Sequence, residues 1–160
     1  MRCYPAARDA RGMLLGVVVS RFNHVISTRL LEGCVRAFVE RGGDPDDLHV
    51  AWVPGAFEIP LAARELARSG RYDAVVTLGS VIRGGTPHFE YVCRAVTDGV
   101  RDVILATGVP VAFGVLTTED VEQALARTGG AEGHKGEEAA LAAIEMGRLR
   151  RALGEPPKDA

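Results

Sequence analysis

Four short apolar runs, each followed by a segment with helical periodicity, leave this chain few architectures. The first run is Met13 to Val19, followed by a helical pattern from Ile26 to Arg41 that Gly42-Gly43 closes. Leu48 to Val53 comes next, interrupted by Pro54-Gly55, with a helix running on to Arg68 and stopped by Ser69-Gly70. Pro60 falls in the first turn of that helix, where its missing N–H costs little. The third run is Ala74 to Gly79, and the fourth is Val111 to Leu116, introduced by Pro110. Between the last two, Phe89, Val92, Cys93, Val96, Val100, Val103 and Ile104 recur at three and four residues and form one apolar stripe. Glu90, Arg94, Asp98 and Arg101 occupy the opposite face, where the spacing favours Glu90–Arg94 and Arg94–Asp98 pairs. Apolar strands alternating with helices predict an α/β fold built on a four-stranded parallel sheet covered on both faces. Right-handed crossovers make it a three-layer doubly wound sandwich, in which ligands bind beyond the carboxyl ends of the strands.

The rest of the chain fits one domain. At 160 residues the length suits a single core, and no repeat or long linker divides it. Thr118 is expected to cap a further helix from Glu119, and a glycine-rich stretch, Thr128 to Gly136, leads into an alanine-rich helix through Leu149. Residues 1–12 are expected to form an N-terminal arm, and the tail 154–160 to be disordered. Lys plus Arg number 19 against 21 Asp plus Glu, a formal charge of -2, which argues against nucleic-acid binding by bulk charge. The three cysteines, Cys3, Cys34 and Cys93, are widely spaced and have no zinc-type partners, so reduced thiols in a cytoplasmic protein are expected, with no metal. Met13 to Val19 is too short to span a bilayer and lacks a small-residue cleavage site, so neither a membrane anchor nor a signal peptide is expected.

The unusual residues follow the strands. After the first comes Ser20-Arg21-Phe22-Asn23-His24, where Phe22 could stack on a planar ligand or simply cover the core. Asn23, the only asparagine, could equally be a turn residue. After the second comes Pro54 to Pro60, whose Glu58 is an acceptor suited to hydroxyls or an ordinary first-turn acid. After the third comes Val81-Ile82-Arg83-Gly84-Gly85-Thr86-Pro87-His88. Thr86 is placed there as N-cap and Pro87 as first helical residue. Gly84-Gly85 lets the backbone approach a ligand, and free amides at a helix start favour an anion. His88 then lies in the first turn, beside that anion, as the acid–base candidate. After the fourth come Phe113, within the strand, then Arg127 and Lys135 among glycines, suited to phosphate or a carbonyl. No G-x-G-x-x-G follows a strand, and no Gly-Lys-Ser/Thr occurs, so the dinucleotide and P-loop signatures are absent.

Together these segments resemble the lumazine synthase family, in one register from Leu14 to Leu149. The resemblance is carried by Arg21-Phe22-Asn23, Pro54 to Pro60, Gly79 to Gly84 and Thr86-Pro87-His88-Phe89-Glu90-Tyr91-Val92. It continues through Gly108 to Val111, Gly114 to Glu119, Glu122-Gln123-Ala124, Arg127, Lys135-Gly136 and Ala143 to Met146. The resemblance implies a flavodoxin-like sandwich and a transferase of riboflavin biosynthesis. Such an enzyme condenses a ribitylamino-pyrimidinedione with 3,4-dihydroxy-2-butanone 4-phosphate, releasing phosphate and water to give 6,7-dimethyl-8-ribityllumazine. By the same resemblance Phe22 stacks on the pyrimidine, and Val81 and Ile82 lie at its edge. Asn23, Ala56, Phe57 and Glu58 hold the ribityl chain, Gly85, Thr86 and Arg127 hold phosphate, and His88 moves protons. Phe113, Arg127 and Lys135 come from the neighbouring subunit of a pentamer, which in some members builds a capsid. No cofactor is implied.

The sequence departs from the family at two places. Gly85 stands where an acid or alanine is frequent, and His134 stands where asparagine often precedes the lysine. Pro5 would remove a donor if the start of the chain paired with a neighbour's sheet. A non-catalytic flavin or lumazine carrier, or a shell protein of the same fold, is the alternative, but would need neither His88 nor Arg127. A flavodoxin or a phospho-receiver would need a Ser/Thr-rich loop or paired acids after the first strand, and Ser20-Arg21-Phe22-Asn23 supplies neither.

Overall fold

The computed structural model describes Met1, Cys3, Tyr4 and residues 7–154. Strands β1 (Leu15–Ser20), β2 (Leu48–Val53), β3 (Ala74–Ile82) and β4 (Val111–Thr118) form one parallel sheet in the order β2-β1-β3-β4. Helices α1 (His24–Glu40) and α5 (Lys135–Gly154) cover one face, and α2 (Ile59–Arg68) and α3 (His88–Thr107) cover the other. This is the expected three-layer α/β sandwich.

Each face has its own core, and strand alternation sorts residues between them. Leu15, Val17 and Val19 of β1 pack with Leu30, Phe38 and Ile144, whereas Val18 packs with Ile59, Ala63 and Val96. All six residues of β1 are buried, which is why the central strands look like unbroken apolar runs in sequence. The edge strand β2 leaves Val50 and Trp52 exposed.

Several boundaries differ from expectation, each for a tertiary reason. β3 continues past Gly79 to Ile82 because β4 also continues, and the pairing runs out to Ile82 opposite Thr118. Val81 and Ile82 are therefore strand residues rather than loop residues. Thr118 is the last residue of β4 and caps nothing. Asp120 caps the short helix α4 (Val121–Ala126), its Oδ1 accepting from the Gln123 amide at 2.8 Å, since a carboxylate is the stronger acceptor. The glycine-rich stretch folds into a small antiparallel hairpin, β5 (Thr128–Gly130) and β6 (Gly133–His134). Two glycines bring this hairpin and α5 against α1. A Cβ on Gly136 would collide with the Leu30 carbonyl, and one on Gly33 with the His134 ring.

α5 runs past Leu149 to Gly154, so Gly154 is helical, and the remainder of the expected tail lies outside the described residues. Its C-terminal half is tied down by arginines. Arg148 Nε donates to the Asp9 carbonyl at 2.7 Å, and Arg151 Nε donates to Asp73 Oδ1 at 2.6 Å. Of the arm, Ala10 is fully buried and its amide donates to the Arg41 carbonyl at 2.8 Å. Pro5 lies outside the described residues. Among the described residues no helix is long and apolar enough to cross a membrane.

Candidate active site

The carboxyl ends of β1, β2 and β3 meet where strand order reverses, β1 having its chain successor on one side and β3 on the other. Such a switch point leaves a crevice between diverging loops. Beyond β1 and β2 the backbone pairing continues, with the Arg21 amide donating to the Val53 carbonyl at 2.8 Å and the Phe22 amide to Pro54 at 3.0 Å. That pairing holds Phe22 at the rim, 72% exposed. Asn23 then turns the chain into α1 in the left-handed region, φ 59 and ψ 46, a conformation asparagine tolerates better than most residues. Its Nδ2 donates to the Ser80 carbonyl at 2.8 Å, tying the β1 loop to β3.

After β2 a single 3-10 turn, Ala56–Glu58, leads into α2. Glu58 curls back so that Oε2 accepts from the Gly55 amide at 2.9 Å, and Phe57 projects outward, 62% exposed. After β3, helix α3 begins at His88 with Pro87 at the cap position. Thr86 is thus one residue too early to be the cap, and no side chain satisfies the first amides of α3. The Glu90 amide donates to the Pro87 carbonyl at 3.1 Å, and a helix start without a side-chain cap suits an anion. Gly84 and Gly85 face open space, and His88 is exposed.

These three segments enclose a cavity of about 740 Å³, within the range of small-molecule sites. Of the residues expected at a site, Phe22, Ala56, Phe57, Glu58, Val81, Ile82, Thr86 and His88 line it. Asn23 lies outside its lining, bonded to the Ser80 carbonyl, and Gly84 lines it where Gly85 was expected. Pro54, Gly55, Ser80, Phe89 and Val92 also line it and were not expected to. Phe89 and Val92 begin the apolar stripe of α3. The signal available was that the stripe starts beside His88, next to the third post-strand loop. Ser80 also contributes a buried Oγ with no hydrogen-bond partner.

Phe113, Arg127 and Lys135 lie elsewhere. They line a second cavity, of about 340 Å³, along β4 and α5, together with Glu138, Ala139 and Ala142. Phe113 is 43% exposed at this edge of the sheet. The Lys135 amide donates to the Arg127 carbonyl at 2.9 Å, closing the hairpin between the two cations. Arg127 Nη1 donates to the Gln123 carbonyl at 2.9 Å, and Lys135 Nζ pairs with Glu138 at 2.8 Å. The two cavities share no lining residue.

The thiols of Cys34 and Cys93 are poor nucleophiles. Burial pushes Cys34 up to about 12 and raises Cys93 as well. Arg83, hydrogen-bonded to Glu90, holds that carboxyl below the usual range. Among the described residues no group of three or more His, Cys, Asp or Glu is gathered in a way that could hold a metal ion.

His134, at the end of the hairpin, is held below the ordinary histidine value chiefly by burial, with Arg36 acting in the same direction and Glu137 and Glu32 against it. Its Nδ1 is buried without a partner. The fold therefore favours the neutral ring. Above 6.5, the ordinary value, neither folded nor unfolded chain is protonated here and the group contributes nothing to pH dependence. As the pH falls below it, the unfolded chain takes the proton first, and stability is lost down through the folded pKa. The melting temperature of the wild type is expected to fall more between pH 7 and pH 5 than that of His134→Asn. Equal falls would assign the acid sensitivity to other groups.

Residues 12–151 match the family model described as 6,7-dimethyl-8-ribityllumazine synthase. That span contains every residue lining the two cavities.

Proposed function

The chain belongs to the 6,7-dimethyl-8-ribityllumazine synthase family, transferases of riboflavin biosynthesis, and from that premise we propose that it catalyses the lumazine-forming condensation itself. The amine of 5-amino-6-ribitylamino-pyrimidinedione condenses with the carbonyl of 3,4-dihydroxy-2-butanone 4-phosphate. Phosphate then leaves, and ring closure with loss of water gives the product. The observation that carries this reading is the division of one chain into two unlike cavities. One holds exposed aromatic rings, a carboxylate and a histidine, and the other an exposed ring with an arginine and a lysine. Neither alone offers both a stacking surface with an acid–base group and fixed cations for phosphate. Juxtaposed between two copies of the chain, they do.

In this reading Phe22 stacks on the pyrimidine, with Val81 and Ile82 at its edge. Ala56, Phe57 and Glu58 hold the ribityl chain. Glu58, with one oxygen on the Gly55 amide, keeps further lone pairs for hydroxyls. Asn23 acts by fixing the loop under Phe22, its Oδ1 remaining available to the ribityl chain. Gly85 and Thr86 present the loop amides to phosphate, the neighbour's Arg127 clamps it, and His88 transfers protons. Phe113 and Lys135 enter from the same neighbour. The copies close as a pentamer, alone or within a capsid, in the cytoplasm. The chemistry needs orientation and proton transfer and involves neither cofactor nor metal.

The test is direct. Purified protein given both substrates, with a chelator and no nucleotide, is expected to form lumazine faster than the spontaneous reaction, followed by its absorbance. Folded protein that stays at background would instead favour a carrier or shell protein.

A further inference from the structure

The roles proposed for the first cavity leave out Arg83, which stands between two of its lining residues, Ile82 and Gly84. Its backbone amide donates to the Thr118 carbonyl at 2.9 Å, extending the β3–β4 pairing by one residue. Its side chain reaches three further places. Nε donates to Glu119 Oε2 at 2.6 Å, Nη1 donates to Glu90 Oε1, and the guanidinium lies 4.2 Å from the centre of the Phe89 ring. One side chain thus joins the end of β3 to the end of β4 and to the first turn of α3. Between its two attachments lies the segment 84–87, where a Cβ on either glycine would meet only open space.

We infer that Arg83 is a positioning residue, a clasp that fixes the start of α3, and with it His88 and the amides of the 84–87 loop, against the sheet. This rests on the function proposed above. A cation beside a phosphate loop would ordinarily be taken for a phosphate ligand. Here its donors already face two carboxylates, and an incoming phosphate would have to displace Glu90 and Glu119 while lying close to their charge. Both partners respond to the clasp: Arg83 is held above its ordinary value and Glu90 below. Isolated exposed ion pairs contribute little. A planar guanidinium shared by two carboxylates and stacked on a ring is more ordered, and lysine cannot copy its fork and its stack.

The experiment compares Arg83→Ala, Arg83→Lys, Glu90→Gln and the Arg83→Ala/Glu90→Gln double variant. Steady-state kinetics with both substrates are combined with amide hydrogen exchange over residues 84–90. Misplacement of His88 and of the loop amides is expected to lower kcat about tenfold in Arg83→Ala and in Glu90→Gln, with any rise in KM for the phosphorylated ketone the same in both. The double variant is expected to be no worse than the weaker single one, Lys to rescue only in part, and exchange over 84–90 to quicken in every variant. Should Arg83→Ala raise KM for the ketone while Glu90→Gln leaves it unchanged or lowers it, Arg83 is a phosphate ligand and the inference is overturned. Unchanged kcat and exchange in Glu90→Gln would equally overturn it, without relying on Arg83→Ala folding. A wild type without lumazine activity would sink the proposed function, whereas exchange over 84–90 reports the clasp independently of turnover.

Discussion

Replacing Arg127 with alanine is expected to lower kcat/KM about a hundredfold, because a charge-assisted clamp on the bound and departing phosphate would be lost. The more informative result is what restores activity. Arg127 and His88 line different cavities of the same chain, and the cavities have no residue in common. If the site forms where one copy's first cavity meets its neighbour's second, Arg127→Ala damages the site that its chain shares with one neighbour. His88→Ala damages the site shared with the other. Co-expressing the two variants with different tags, and purifying through both, yields mixed rings. In an equal random mixture an intact His88 meets an intact Arg127 at about one junction in four, so activity is expected near a quarter of wild type, well above either parent. Confirmed hybrids no more active than the mean of the parents would place the whole site on one chain. A monomer by light scattering would end the idea sooner.

His88→Ala in the uniform protein is expected to lower kcat by about ten- to a hundredfold with KM little changed, at or below the lower end for a general acid–base group. The effect stays moderate because orientation by the rest of the site survives the substitution. His88 is exposed at the first residue of α3, so its loss should leave the fold intact, checked by an unchanged melting temperature. Wild-type turnover in the folded variant would dismiss the proton-transfer role. A loss confined to KM would make His88 a binding group instead.

The sandwich was legible in the sequence because it follows from local patterns. Strands buried on both faces appear as continuous apolar runs, and α3 shows its stripe at three- and four-residue spacing. The positions of Phe22, Glu58 and His88 were legible for the same reason, since each follows an apolar run that marks a strand, two of them central and one at the edge. Their role was legible only through the resemblance, and the match over residues 12–151 supports the family and not each residue.

What the sequence left open was settled by contacts distant along the chain. Thr86 and Thr118 are good capping residues, yet Pro87 occupies one cap position and Asp120 the other, Thr118 being taken up by β4 because its pairing with β3 runs out to that residue. Glu90 has Arg94 four residues on, but bonds to Arg83, which the end of β3 delivers to it. Phe89 and Val92 belong to a core stripe by period, and become cavity wall because the sheet ends beneath them. Periodicity reports which face of an element is apolar, so the sequence by itself determined the layers and the loops that bear chemistry. Which of those loops share a cavity depends on strand order and register, and only the tertiary structure separated Phe22, Glu58 and His88 from Phe113, Arg127 and Lys135.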